Sequence, residues 1–368
     1  MTDWYHVSNA DTVNSPALLI YPDRVRNNLR QMIAVAGDVS RLRPHIKTHK
    51  MPQVIQLKRE AGIHKFKVST IAEAEMTAAA GGEDVLLAIQ PVGPNIGRLV
   101  NLIGRFPATH FAALVDDFDN LQAINSAAAA ADTKIELYVD LNVGMNRTGL
   151  PPGPDAAALY RQIVQLPAVT PGGLHAYDGH LHNTDHSALS AAVDAAFRPV
   201  LQLRDSLVTS GCPVPRIIAS GTPTFPLLAQ HDNIEVGCGT TVLWDFGQAA
   251  ICPDLRFEFA ALLLTRVISK PLPDRLCIDL GHKAVASEMP HPRVRLLGLE
   301  DAEVVTHSEE HLVVKTERAA EYRVGDVIYG IPRHICPTVA LHQEVVVVQN
   351  GLAADRWPVT ARVRRISI

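Results

Sequence analysis

Eight short apolar runs in the first 240 residues, most of them separated by helix-patterned segments, constrain this chain more than anything else in it. They fall at 43–47, 66–69, 85–89, 111–115, 135–141, 172–176, 216–220 and 234–236. Between them, residues 121–131 and 155–165 are alanine-rich or repeat with the helical period, and 188–210 is a long amphipathic run. Thr70-Ile71-Ala72-Glu73 reads as a capping box that opens another helix. Residues 17–21 followed by 23–36 supply a helix ahead of the first run. Strands alternating with helices imply a parallel sheet, and eight is the number that closes into a barrel. The expected fold is therefore α/β, a (β/α)8 TIM-type barrel over residues 16–249. A doubly wound open sheet is the alternative. No Gly-x-Gly-x-x-Gly follows the first run, which argues against a dinucleotide fold.

After residue 250 the texture changes. Strand-like runs at 257–269, 276–279, 303–305, 311–315, 326–331, 344–349 and 359–366 are separated by Pro, Gly and polar residues, with few helical patterns. This predicts a C-terminal all-β domain over 250–368.

Composition narrows the function. With 368 residues and a net charge of −4, nothing suggests nucleic acid or an anionic membrane as partner. No apolar run approaches the ~20 residues that span a bilayer. The start, Met1-Thr2-Asp3-Trp4-Tyr5-His6, reads as no secretory signal. Five scattered cysteines form no disulfide framework, and the expected home is a reducing cytoplasm.

Arg43-Pro44-His45-Ile46-Lys47-Thr48-His49-Lys50 ends the first run. In extended chain Arg43, His45, Lys47 and His49 share a face. Crowded cations favour the neutral amine of a lysine. Imine chemistry requires that form, because free lysine at pKa ~10.4 is almost wholly protonated at neutral pH. The functional reading is a Schiff-base lysine for pyridoxal phosphate; the plainer one is a solvated basic edge. Chemistry in a parallel barrel collects at the carboxyl ends of the strands, and other candidates fall there too. Arg147 lies in Gly144-Met145-Asn146-Arg147-Thr148-Gly149, and Tyr177 follows the sixth run. Ser220-Gly221-Thr222 ends the seventh run and Gly237-Cys238-Gly239 the eighth. The two glycine turns can cradle a phosphate with backbone N–H groups, or be ordinary strand-to-helix corners. Arg147 can donate to a phenolic oxygen or sit in a surface ion pair. Tyr177 can pack on a cofactor or be a half-buried aromatic.

In the β domain, His334 and Cys336 stand two apart in Arg333-His334-Ile335-Cys336-Pro337-Thr338. In extended chain they project to one side, and imidazole plus thiolate suits Zn²⁺. The alternative is a buried thiol beside an unrelated histidine.

Together the Pro44–Lys50 segment, the 144–149 loop and the His334-Ile335-Cys336-Pro337-Thr338 segment resemble the metal-activated branch of the fold-type III pyridoxal enzymes. These alanine-racemase-like proteins include D-threonine aldolases and D-serine dehydratases. The resemblance implies Lys47 as cofactor lysine and α-proton base, and Arg147 at the phenolic oxygen with Tyr177 nearby. It implies phosphate held by Ser220–Thr222 and Gly237–Gly239, with Cys238 a small residue in the turn. His334 and Cys336 would bind a divalent metal, Zn²⁺ foremost and Mn²⁺ or Mg²⁺ as alternatives. A homodimer is implied, and residues 1–15 are expected to join the β domain. The resemblance points to a D-3-hydroxy amino acid as substrate. Because thiolate suits Zn²⁺ where better-known D-threonine aldolases carry His-x-Asp, the reading leans to a dehydratase of the D-serine type. D-threonine aldolase is the alternative, with a racemase or a non-catalytic pyridoxal-phosphate-binding protein further off.

Overall fold

The computed structural model describes residues 3–368. The chain divides into two compact units. One comprises Met1–Arg30, Thr48–Met51 and Thr240–Arg362; the other comprises Gln31–Lys47, Pro52–Gly239 and Val363–Ile368.

The second unit is built on a parallel sheet of seven strands, each bonded to the next in chain order: Lys65–Val68, Asp84–Leu87, His110–Val115, Ile135–Leu141, Val169–Ala176, Arg216–Ala219 and Ile234–Val236. The eighth expected strand, at 43–47, is not regular. Two isolated parallel bridges, Leu42↔Val236 and His45↔Lys67, join residues 42–45 to both edges of the sheet. Arg43 N–H donates to Val236 and Lys67 N–H to Pro44, so the ring closes through a short irregular segment. Pro44 has no N–H to give the ladder, and Ile46–Thr48 then coils into a 3₁₀ turn. The sheet interior is apolar, with Leu86, Ala112, Leu114, Tyr138 and Ile218 packed as a buried cluster.

Local sequence explains the helices around it. Thr70 accepts from Glu73 N–H, and the Glu73 carboxylate accepts from Ser69 N–H, which satisfies two donors at the start of Ile71–Ala79. Pro94 and Pro154 open Pro94–Arg105 and Pro154–Gln165 at the first turn, where no N–H is needed. The amino ends of the strands carry ion pairs: Arg43 bonds Asp84 and Glu235, and Arg216 bonds Glu136. Arg43 is only 1% exposed. It belongs to this structural belt, so the expected face shared by Arg43 and Lys47 does not exist.

The first unit is a nine-stranded sheet. Ala17–Ile20, expected as a lead into a helix, is a strand that runs antiparallel to Ala261–Ser269 and parallel to Glu344–Gln349. The helix that follows is Pro22–Ala36. Leu19, Tyr21, Leu262, Leu264, Tyr329 and Val346 share one buried cluster. The strand expected at 359–366 lies earlier, at Leu352–Pro358. Asn350 and Gly351, both at positive φ, make the two-residue turn that folds it onto Glu344–Gln349. Val294–Leu296 was too short to read from the sequence. Among the described residues no helix is long and apolar enough to cross a membrane.

Candidate active site

The cofactor candidates of the second unit meet around Tyr177. The Arg147 guanidinium lies 4.8 Å from the ring centroid and the Lys47 Nζ 5.9 Å. A third cation, Lys67 Nζ, lies at 5.7 Å. Each is delivered by a carboxyl-end segment: Lys47 by the 3₁₀ turn, Lys67 by strand Lys65–Val68, Tyr177 by the residue after Val169–Ala176.

The Arg147 loop is fixed by its own polar side chains. Asn142 Oδ1 accepts from the N–H groups of Gly144 and Asn146, each at 3.0 Å. Thr148 donates to Asp140 at 2.8 Å, and Gly149 N–H to Asp116 at 2.8 Å. Gly144, at φ +118°, lets the loop pass His180: a Cβ there would sit 2.6 Å from Nε2. Asp140 also bonds His175 Nδ1 at 2.7 Å. Burial disfavours the ionised carboxyl, but that bond outweighs it and holds Asp140 below the usual range.

The two glycine turns are stitched together. Ser220, at φ +80°, accepts from Gly237 N–H through Oγ at 3.1 Å. Gly237 N–H also bonds the Ala219 carbonyl, and Gly221 N–H donates to Asp178. Gly221 and Gly237 are therefore already spent as donors, against the expectation that both turns offer their N–H groups. Those of Thr222 and Gly239 meet no acceptor among the described residues. Cys238 is buried in the second turn.

The electrostatics single out Lys67. Its side chain is fully buried, and burial, with Lys47 beside it, brings the ammonium down to about 8. His45 is pushed well below its ordinary value by burial and by the same two lysines. Burial raises Asp178, whose Oδ2 has no hydrogen-bond partner among the described residues; nor has the buried His175 Nε2. Unpaired cations, two unspent N–H groups and orphaned buried polar atoms suit a small, polar, anionic cofactor. Pyridoxal phosphate fits this set. Lys67 and Asp178 were missed from the sequence, although a lysine between Phe66 and Val68 in a buried strand was a visible signal.

In the first unit, His334 and Cys336 are not in extended chain. His334 is the N-cap of helix Ile335–Leu341, and Cys336 lies in its first turn. The two side chains nevertheless hydrogen-bond. Burial would lower His334, but Cys336 and then Glu288 outweigh it and raise the imidazole to about 9. Glu288 takes Nδ1 at 2.5 Å, which leaves Nε2 for a metal. The Cys336 thiol is 3.2 Å from Thr48 Oγ1 and 3.6 Å from Thr240 Oγ1. Asp245 fixes the segment by accepting from Ile335 N–H at 2.9 Å. Among the described residues no group of three or more His, Cys, Asp or Glu is placed to hold an ion. Imidazole plus thiol is a two-donor set that fits a divalent metal with open positions. Glu288 gave no sequence signal.

The sequence profile of the alanine racemase N-terminal domain matches residues 20–243, and that of a putative serine dehydratase domain matches residues 260–348. The chain belongs to the alanine racemase N-terminal domain family. Within it, the chain is 30% identical to a D-threonine aldolase of Arthrobacter sp, over 95% of this chain and 93% of that one. It is 28% identical to a D-threo-3-hydroxyaspartate dehydratase of Delftia sp., over 94% and 95%. The solved D-threonine aldolase of Filomicrobium marinum superposes with a TM-score of 0.88 at 27% identity, covering 97% of each chain. The relatives so named are aldolases and a dehydratase.

Proposed function

We propose that this protein is a pyridoxal-phosphate- and divalent-metal-dependent lyase that cleaves a D-3-hydroxy amino acid by retro-aldol reaction, giving glycine and an aldehyde. The observation that carries it is the convergence of Lys47, Arg147 and Lys67 on the Tyr177 ring, in a chain whose aldolase relatives span nearly its whole length. The comparisons support this reaction better than the dehydration favoured from the sequence. Dehydration to a 2-oxo acid and ammonia stays as the second reading, favoured by the thiol at Cys336 and by the Delftia dehydratase.

Pyridoxal phosphate, when bound, supplies a sink for negative charge at the substrate's α-carbon. Lys47 would hold the cofactor, and its amine would carry the proton at that carbon. Arg147 would donate to the phenolic oxygen, and Tyr177 would pack beside the cofactor. Thr222 and Gly239 give their N–H groups to the phosphate. His334 and Cys336 hold the metal, and a divalent ion there lowers the proton affinity of a hydroxyl.

The test is to load the protein with cofactor and Zn²⁺ or Mn²⁺ and supply D-threonine, D-serine and D-threo-3-hydroxyaspartate separately. Glycine with acetaldehyde from D-threonine supports the aldolase. Pyruvate from D-serine, or oxaloacetate from hydroxyaspartate, supports the second reading. Turnover of none of them removes both.

A further inference from the structure

We propose that Lys67 is a phosphate-binding residue of this site, its amine closing the anion cradle beside the Gly237 turn. The inference deepens the cofactor reading above and rests on it.

Three observations converge. Lys67 is 2% exposed, yet its Nζ has neither a hydrogen bond nor an ion pair among the described residues. A buried ammonium that makes no direct hydrogen bond or ion pair is costly, so a site that retains one is shaped for an anion. Next, the amine is packed against Gly237. A Cβ at that position would fall 2.3 Å from Nζ and 2.8 Å from Cε, so glycine there makes room for the lysine. Finally, the same turn carries the unspent N–H of Gly239, with that of Thr222 in the neighbouring turn. A cation and two N–H donors without protein acceptors are the elements of a phosphate site. The groups that bear on Lys67 are Lys47, His45, Asp140, His175, Asp178 and Cys238. Of these, Asp178 is the carboxylate already engaged by Gly221 N–H.

The experiment compares pyridoxal phosphate with pyridoxal, which lacks the phosphate, as ligands of cofactor-stripped protein. For Lys67→Met, affinity for pyridoxal phosphate is expected to fall about tenfold or more while pyridoxal binding holds within about twofold. Equal loss for both ligands, or no loss for either, overturns the proposal. A measurement on the unaltered protein guards against a variant that fails to fold. Its preference for pyridoxal phosphate over pyridoxal should decline as pH rises from about 8 to 10, because Lys67 then loses its proton. Imine formation at Lys47 is common to both ligands and cancels in the ratio. A flat ratio overturns the proposal. Borohydride trapping separates the two levels of inference: an adduct on Lys47 upholds the cofactor reading whatever Lys67 does. An adduct on Lys67, or none, overturns both.

Discussion

Thr48 Oγ1 lies 3.2 Å from Cys336 Sγ, so the residue that follows Lys47 in the chain is a neighbour of the candidate metal ligand. A hydroxyl that donates to a thiolate stabilises the ionised form a metal needs. Thr48→Val should weaken Zn²⁺ binding about tenfold, while Thr48→Ser retains it. A chelator-competition titration measures this; equal affinity in all three proteins would show the contact to be incidental.

Cys336→Ser should abolish lyase turnover and metal retention while sparing the visible absorption of the bound cofactor. Absorption spectra beside metal analysis check this. Unchanged activity would remove the thiol from the mechanism.

Lys47→Ala should lose that absorption and all turnover. Lys50→Ala should keep both, since Lys50 sits at φ 54° with its amine 3.4 Å from the Ala361 carbonyl. The opposite result would mean that the wrong lysine bears the cofactor.

Arg43→Met removes the cation shared by Asp84 and Glu235 and leaves two carboxylates at the sheet's amino end short of a partner. Breaking such a buried pair costs about 3–5 kcal/mol. Urea unfolding should show a loss of that order, and a loss under about 1 kcal/mol would mean that Lys65 and Arg216, which also pair with Glu235, hold the belt unaided.

The ammonium of Lys67 titrates near 8 in the folded protein, against ~10.4 when the chain is unfolded. Between those values the unfolded chain binds the proton and the folded one does not, so stability rises with pH. Cofactor-free protein should therefore gain stability relative to Lys67→Met as pH goes from about 8 to 10. Denaturation midpoints across that range that run parallel for the two proteins would refute the assignment.

The sequence by itself determined seven of the eight expected parallel strands, the mostly-strand C-terminal part and the placement of Arg147 and Tyr177 beyond strand ends. Apolar periodicity and turn residues are local properties, and a parallel sheet makes the strand end the working end. Tertiary structure decided the rest. Pro44 and the coil at Ile46–Thr48 separate Arg43 from Lys47, and Asp178, 43 residues away, takes the N–H of Gly221. Asn350 and Gly351 start the last strand earlier than its β-branched composition suggested. The amine left unpaired on Lys67 depends on which groups the closed sheet brings near it. Burial and partnership come from residues distant in sequence, and no local pattern records them.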